Sequence, residues 1–214
     1  MVFKVKINSS TKSLIFLSLL CIFLSCTRLI FKSDTKYSFL LWNLFLAWIP
    51  YILTIISKYY SHLNKIKTIA ILLVWFLFFP NSPYIITDLL HLKGYQQNIL
   101  WFDSLLIFVY ASTGVLLSLN SLQIAKQIFN NYLGKTKTWI ILLVIILLSG
   151  FGIYLGRYCR LNSWDLFNQP LWFFGRIVHQ FENPLTYKVT LTYGLVIFCL
   201  YLIFQDSIKL KNKN

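Results

Sequence analysis

Acidic residues are scarce in this chain of 214 residues: it holds 6 Asp and Glu against 20 Lys and Arg, and charged residues of both signs make up only 12% of it. A soluble domain carries roughly a quarter of its residues charged, so a water-facing globular shell is excluded. Cysteine is sparse too. Cys21, Cys26, Cys159 and Cys199 form no CxxC pair and no metal-ligand spacing, so neither a disulfide framework nor a zinc site is implied. HExxH, GxSxG, the P-loop and GxGxxG do not occur, which removes the readings that rest on them. No internal repeat is visible.

What the chain does have is oil. Hydrophobic residues make up 57% and aromatics 18%, and the apolar residues fall in long runs. A bilayer core takes about 20 apolar residues per helical crossing. The runs predict an all-α, polytopic transmembrane helix bundle of about six crossings in a single membrane domain over 1–214. The crossings fall near 13–31, 38–57, 67–92 (broken at 80–83), 99–119, 138–157 and 186–205, with an interfacial helix near 170–183. The first run, after Lys4, Lys6 and Lys12, resembles a signal-peptide core. Phe23 stands where a lipoprotein cleavage box prefers Leu, so an uncleaved first helix is expected.

The third run has eleven apolar residues before Pro80-Asn81-Ser82-Pro83, too few to cross at 1.5 Å per residue. A broken helix follows, with Ser82 as cap and Pro83 in the new first turn. Helical spacing puts Tyr84, Thr87, Asp88 and His91 on one side of the continuation and Ile85, Ile86, Leu89 and Leu90 on the other. Gly150, Gly152 and Gly156 of the fifth crossing permit close approach of a neighbouring helix. In the long connection after it, Leu171, Phe174, Ile177, Val178 and Phe181 mark an apolar face, opposite Arg176, His179, Gln180 and Asn183.

The net charge of +14 does not point to nucleic acid, because the basic residues sit in small groups between apolar runs. They are loop charges, and a majority flank the ends that share a side with both termini. The positive-inside rule places those termini in the cytoplasm, against the opposing vote of Arg28, Lys32 and Lys36.

Six alternating crossings bring Asp88, His91, Asp103, Arg157, Arg160, Asp165, His179 and Glu182 to one membrane face. Ionisable groups at membrane depth pair or line a functional cavity. Asp88, His91, Asp103 and Asp165 are the candidate catalytic residues, and Asn81, Tyr84, Arg157, Arg160, Asn162 and Trp164 the candidate ligand-binding ones. Two readings stand side by side: Asp88 and Asp103 pair with Arg157 and Arg160 to lock helices together, or the cluster is a site. Asp88/His91 and His179/Glu182 each have a metal-compatible spacing of three, but nothing supports them and no metal is expected. Trp101, Trp164 and Trp172 read first as boundary anchors.

Two stretches are distinctive: Trp75-Phe-Leu-Phe-Phe-Pro-Asn-Ser-Pro-Tyr-Ile-Ile-Thr-Asp-Leu-Leu-His91 and Phe151-Gly-Ile-Tyr-Leu-Gly-Arg-Tyr-Cys-Arg-Leu-Asn-Ser-Trp-Asp165. With them the chain, from about Leu40 through the last crossing, resembles the bacterial membrane-protein family called domain of unknown function 1361. The resemblance implies a bacterial cytoplasmic-membrane protein and supplies no reaction or cofactor. It makes Pro80, Asn81, Pro83, Asp88, His91, Arg157, Arg160, Asn162, Trp164 and Asp165 the first targets. Cys159 departs from the larger apolar residue expected there.

Three functional hypotheses follow. One is a membrane enzyme or lipid-handling protein whose outer-facing Asp/His/Arg site binds an anionic lipid head group. A second is a small transporter or ion-coupled carrier using the broken helix. The third is a non-catalytic subunit, with the glycine-lined fifth crossing as contact for a membrane-protein partner or a second copy. The bilayer itself is the partner common to all three.

Overall fold

Inside a bilayer no water is available to backbone amides, so a spanning segment must bond its own N–H and C=O groups, as a helix does. The computed structural model describes residues 9–32, 35–92, 99–161 and 165–211, and every regular element among them is helical. In chain order these are α1 (Ser9–Lys32), α2 (Phe39–Tyr60), α3 (Lys65–Phe78), α4 (Asn81–Tyr84), a 3₁₀ helix (Ile85–Leu92), α5 (Leu100–Leu133), α6 (Lys135–Tyr158), α7 (Asp165–Asn168), α8 (Pro170–Gln180) and α9 (Pro184–Lys211). Six segments are long and apolar enough to cross a membrane, with α3, α4 and the 3₁₀ helix together forming one of them. The chain is a multi-pass membrane protein.

Crossings run up and down. Thr11 meets Tyr51 and Ser18 meets Trp48, so α1 and α2 are antiparallel. Gln123 meets Tyr201 and Lys126 meets Gln205, so α5 and α9 run the same way. The hub is α5, which touches α1, α2, α4, the 3₁₀ helix, α6 and α9. It runs well past residue 119, to Gly134, whose φ of 77° ends it. The polar residues that close its apolar run do not stop the helix, because other helices take up their side chains: Ser121 accepts from the Trp75 indole at 2.7 Å and Gln123 accepts from Tyr201 at 3.2 Å.

A polar seam docks α1. Thr11, Ser18, Cys21, Ser25 and Arg28 stand at steps of seven, three, four and three, the spacing of one helix face that meets a neighbour. They contact, in order, Tyr51 (2.7 Å), Trp48 (2.9 Å), Thr113 (3.4 Å), Tyr110 (2.7 Å) and Asp103 (2.7 Å).

At the break, Phe79, Pro80 and Ile85 all keep right-handed helical dihedrals, so the hydrogen-bond ladder is interrupted without a reversal of the chain. Ser82 is not the cap. Pro80 holds that position, and the Ser82 hydroxyl donates instead to the Ala47 carbonyl of α2 at 2.7 Å. Pro50 lacks the N–H its own helix needs, and Ala47 and Pro50 flank that gap. A second hydroxyl, that of Ser121, donates to the Pro50 carbonyl at 3.3 Å.

Glycines set the closest approaches. A Cβ on Gly114 would lie 2.5 Å from the Ser82 carbonyl oxygen, and one on Gly150 would collide with the Thr190 carbonyl of α9. The glycines of α6 are therefore spent inside the chain, which removes the sequence-based reason to treat them as a contact for a partner.

Two predictions concern this frame. Arg28 and Asp103 are almost wholly buried, so Asp103→Ala, which strands a buried guanidinium, is expected to lower unfolding stability in detergent by about 3–5 kcal/mol. The double variant Arg28→Leu/Asp103→Leu should recover most of that loss, as read by thermal melting. Gly150→Ala should destabilise by about 1–3 kcal/mol through the Thr190 clash. Gly175→Ala on α8, where nothing lies within 4 Å, should be neutral or stabilising by up to about 1 kcal/mol.

Candidate functional site

The 3₁₀ geometry decides which side chains meet. In a helix of three residues per turn, positions i and i+3 eclipse, so Ile85, Asp88 and His91 form one column along the segment. This differs from the α-helical division, which set Ile85 apart from Asp88. Ile85, Thr87 and Asp88 are buried, while Leu89 and Leu90 point outward to the lipid side. Of its polar residues Thr87 and Asp88 turn into the protein, while His91, at the end of the segment, is exposed.

Arg157, in the last turn of α6, meets that column. Its guanidinium lies 3.6 Å from Asp88 Oδ1 and 2.9 Å from His91 Nε2. Guanidinium nitrogens only donate, so His91 Nε2 must accept and the ring is the neutral tautomer with its proton on Nδ1. The His91 ring packs on Phe39 at 4.8 Å between centroids. Asn43 of α2 donates to Asp88 Oδ2 at 2.8 Å. Asp88 Oδ1 has no hydrogen-bond partner although the residue is only 1% exposed. Apart from its bond to His91, Arg157 makes no hydrogen bond among the described residues, and its side chain is 16% exposed.

Asp103 behaves differently. Its partner is Arg28, at 2.7 Å through Nε and 3.5 Å through Nη2, with that guanidinium 4.3 Å from the Tyr37 ring centroid. The expected pairing of Asp103 with Arg157 or Arg160 is therefore replaced by a closed pair with α1. The reason is position: Asp103, near the start of α5, stands beside the end of α1. Arg160 is exposed at φ 55° beyond α6, where the Leu161 N–H turns back to the Leu155 carbonyl at 3.1 Å, and it makes no ion pair among the described residues. Asp165 opens α7 and is not among the contacts of Asp88, His91 or Arg157. His179 and Glu182 are exposed. Asn162 and Trp164 lie outside the described residues.

Asn81 and Tyr84 stand in the wall of a groove of about 380 Å³ between α2, α3, α4 and α6, lined also by Phe173 and Ile177 of α8. Asn81 donates from Nδ2 to the Phe78 carbonyl at 3.0 Å, and the Tyr84 ring packs against Gly156. Asn43 lines the groove and also holds Asp88, so groove and charged cluster adjoin. The sequence reading missed Asn43. Its signal was a lone amide in the apolar run of α2, a residue type that bonds across helices in membranes. It also missed Phe173, which turns inward from α8 while Leu171, Phe174, Val178 and Phe181 stay exposed. The expected apolar face of α8 thus splits, with Phe173 and Ile177 in the groove wall and the others outward, as suits a helix lying in an interface.

At the break the Ser82 and Tyr84 amides bond the Phe79 and Pro80 carbonyls at 3.2 and 3.0 Å. All four cysteines are free thiols, and burial pushes the Cys159 thiol up, which disfavours the reactive thiolate. Among the described residues no three His, Cys, Asp or Glu side chains gather as a metal site would require.

A family model described as a protein of unknown function, DUF1361, matches residues 42–200, from α2 into α9. It takes in Asn43, the break, Asp88, His91 and Arg157, and leaves out α1. No curated protein and no solved structure matches the chain.

The position of α8 over the groove depends on Tyr154, whose hydroxyl donates to Gln180 at 2.8 Å and accepts from Asn183 at 3.2 Å. Tyr154→Phe is expected to leave the crossings intact and to speed amide hydrogen exchange across Pro170–Gln180 by about tenfold, for the loss of roughly 1–1.5 kcal/mol of local stability. Unchanged exchange there would show that the hydroxyl does not hold α8.

Proposed function

The chain belongs to the DUF1361 family, and from that premise we propose that it is a lipid-handling membrane protein or membrane enzyme whose Asp88–Arg157–His91 cluster receives the anionic head group of a lipid. The observation that carries this reading is the contrast between the two arginine–aspartate pairs. Arg28 and Asp103 are closed on each other at 2.7 Å, as a structural lock requires. Arg157 stands 3.6 Å from Asp88, with most of its donors unspent and a partly exposed side chain. An arginine in that state suits a phosphate or carboxylate, which its planar fork of donors can take in a bidentate bond.

An anion that draws Arg157 toward itself frees the lone pair on His91 Nε2. His91 or Asp88 is then placed to take a proton from the bound group. The basic loops support an orientation with both termini in the cytoplasm, which puts this cluster at the outer face of a bacterial cytoplasmic membrane.

The test uses the full chain in nanodiscs of neutral phosphatidylcholine, titrated with a water-soluble anionic lipid, dihexanoyl phosphatidylglycerol, and followed by calorimetry. Saturable binding is expected. Arg157→Gln should weaken it about tenfold or more, the loss of one charge-assisted contact, and should also lower the thermal midpoint, because the buried Asp88 carboxylate loses its nearest cation. Asp88→Asn should bind as well or better, since a competing carboxylate is gone. Equal affinity in Arg157→Gln would refute the proposal. Failure of both variants to fold would return Asp88 to the structural-lock reading.

A further inference from the structure

Resting on that head-group reading, we propose that the groove beside the cluster seats one hydrocarbon chain of the same lipid, which enters sideways from the bilayer. Leu46 of α2, Phe76 of α3, Leu148 and Leu155 of α6 and Phe173 of α8 line it. The first four belong to membrane-spanning segments. Trp42, Phe76 and Leu148, at its rim, are 54%, 37% and 43% exposed. At that depth the medium outside is hydrocarbon, so the groove opens onto lipid tails rather than water.

Size selects the occupant. A volume of about 380 Å³ lies within the range of small-molecule sites. A single turn of α-helix, about 10 Å across and 5.4 Å long, would take up all of it, which excludes a partner helix lying in the groove. Chemistry selects it further. The long wall is apolar, while Asn43, Asn81 and Tyr84 give one part of it amide and phenol groups. Asn43 also bonds Asp88, and Gly156 of the wall directly precedes Arg157. An apolar groove that adjoins a cationic, hydrogen-bonding cluster suits the polarity of an amphiphile with an anionic head.

The experiment reconstitutes the full chain into phosphatidylcholine vesicles containing a small fraction of phosphatidylglycerol with a photoactivatable diazirine on its acyl chain. After irradiation, adducts are mapped by mass spectrometry. Adducts should concentrate on Leu155 and Phe173 relative to Leu191 and Ile203, apolar residues on the exposed face of α9. Leu148→Trp, which fills the groove from its lipid-facing rim, should lower labelling of Leu155 and Phe173 about tenfold and leave Leu191 and Ile203 unchanged. Phe76→Trp serves as the second filling variant should the first not fold. Labelling spread evenly over groove and α9, or unaffected by both filling variants, overturns the inference. If groove labelling is absent while dihexanoyl phosphatidylglycerol still binds in an Arg157-dependent way, the chain seat falls and the head-group reading stands. If groove labelling is as strong for a diazirine phosphatidylcholine and in Arg157→Gln, the chain seat stands and the head-group reading falls.

Discussion

A proline-broken helix can sit in lipid only if other parts of the protein take up the backbone groups that the break disturbs. Here Pro80 and Pro83 interrupt the third crossing opposite Pro50 of α2. One hydroxyl joins these weak points, Ser82 donating to the Ala47 carbonyl, and Ser121 of α5 donates to the Pro50 carbonyl from the other side. Gly114 lets α5 approach the Ser82 backbone, and Gly152 leaves room for the Pro80 ring. Once the break is fixed in this way, the residues after it continue as a 3₁₀ helix, and its threefold period stacks Asp88 and His91 toward Arg157. The polar cluster is therefore a consequence of how the break is accommodated.

Two ion pairs of the same composition then divide the labour. Burying charge is unfavourable unless the pair is close and fully bonded. Arg28–Asp103 meets that condition, with two contacts and the Tyr37 ring beside the guanidinium. It fastens the end of α1 to the start of α5 and completes a seam that begins at Thr11. Arg157–Asp88 does not meet it, since one carboxylate oxygen has only a distant charge and no hydrogen bond. A protein that needed only a lock there had the means to build one, as α1 demonstrates.

Five crossings were legible as long apolar runs and the third as a short run continued past its prolines, and the expectation that Asp88, Asp103 and Arg157 share one face follows from alternation alone. Partner choice was not legible. Which arginine reaches which aspartate depends on lateral neighbours, and the sequence does not state that the end of α1 lies beside Asp103. The 3₁₀ period was also hidden: Asp88 and His91 look adjacent at either helical period, and only the inward turn of Ile85 separates the two cases. The α1 seam was visible in principle, since Thr11, Ser18 and Ser25 are seven apart, yet inside an oily run resembling a signal peptide such a spacing carries little weight until Tyr51, Trp48 and Tyr110 are seen opposite it.

The glycines of α6 show how the scaffold and the groove share one helix. Gly150 faces α9 and brings the two backbones together, while Gly152 and Gly156, two and six residues on, face Pro80 and Tyr84 and line the groove. A Cβ at Gly152 would lie 2.6 Å from the Pro80 ring, and one at Gly156 would lie 3.0 Å from the Tyr84 ring. Both spaces are taken by those rings, so the two glycines, without side chains, let α6 close-pack on the break. The same absence brings the end of α6 close enough for Arg157 to reach the Asp88 column. Groove wall and charged cluster thus share α6, whose Gly152 and Gly156 face the break and whose Arg157 meets Asp88 and His91.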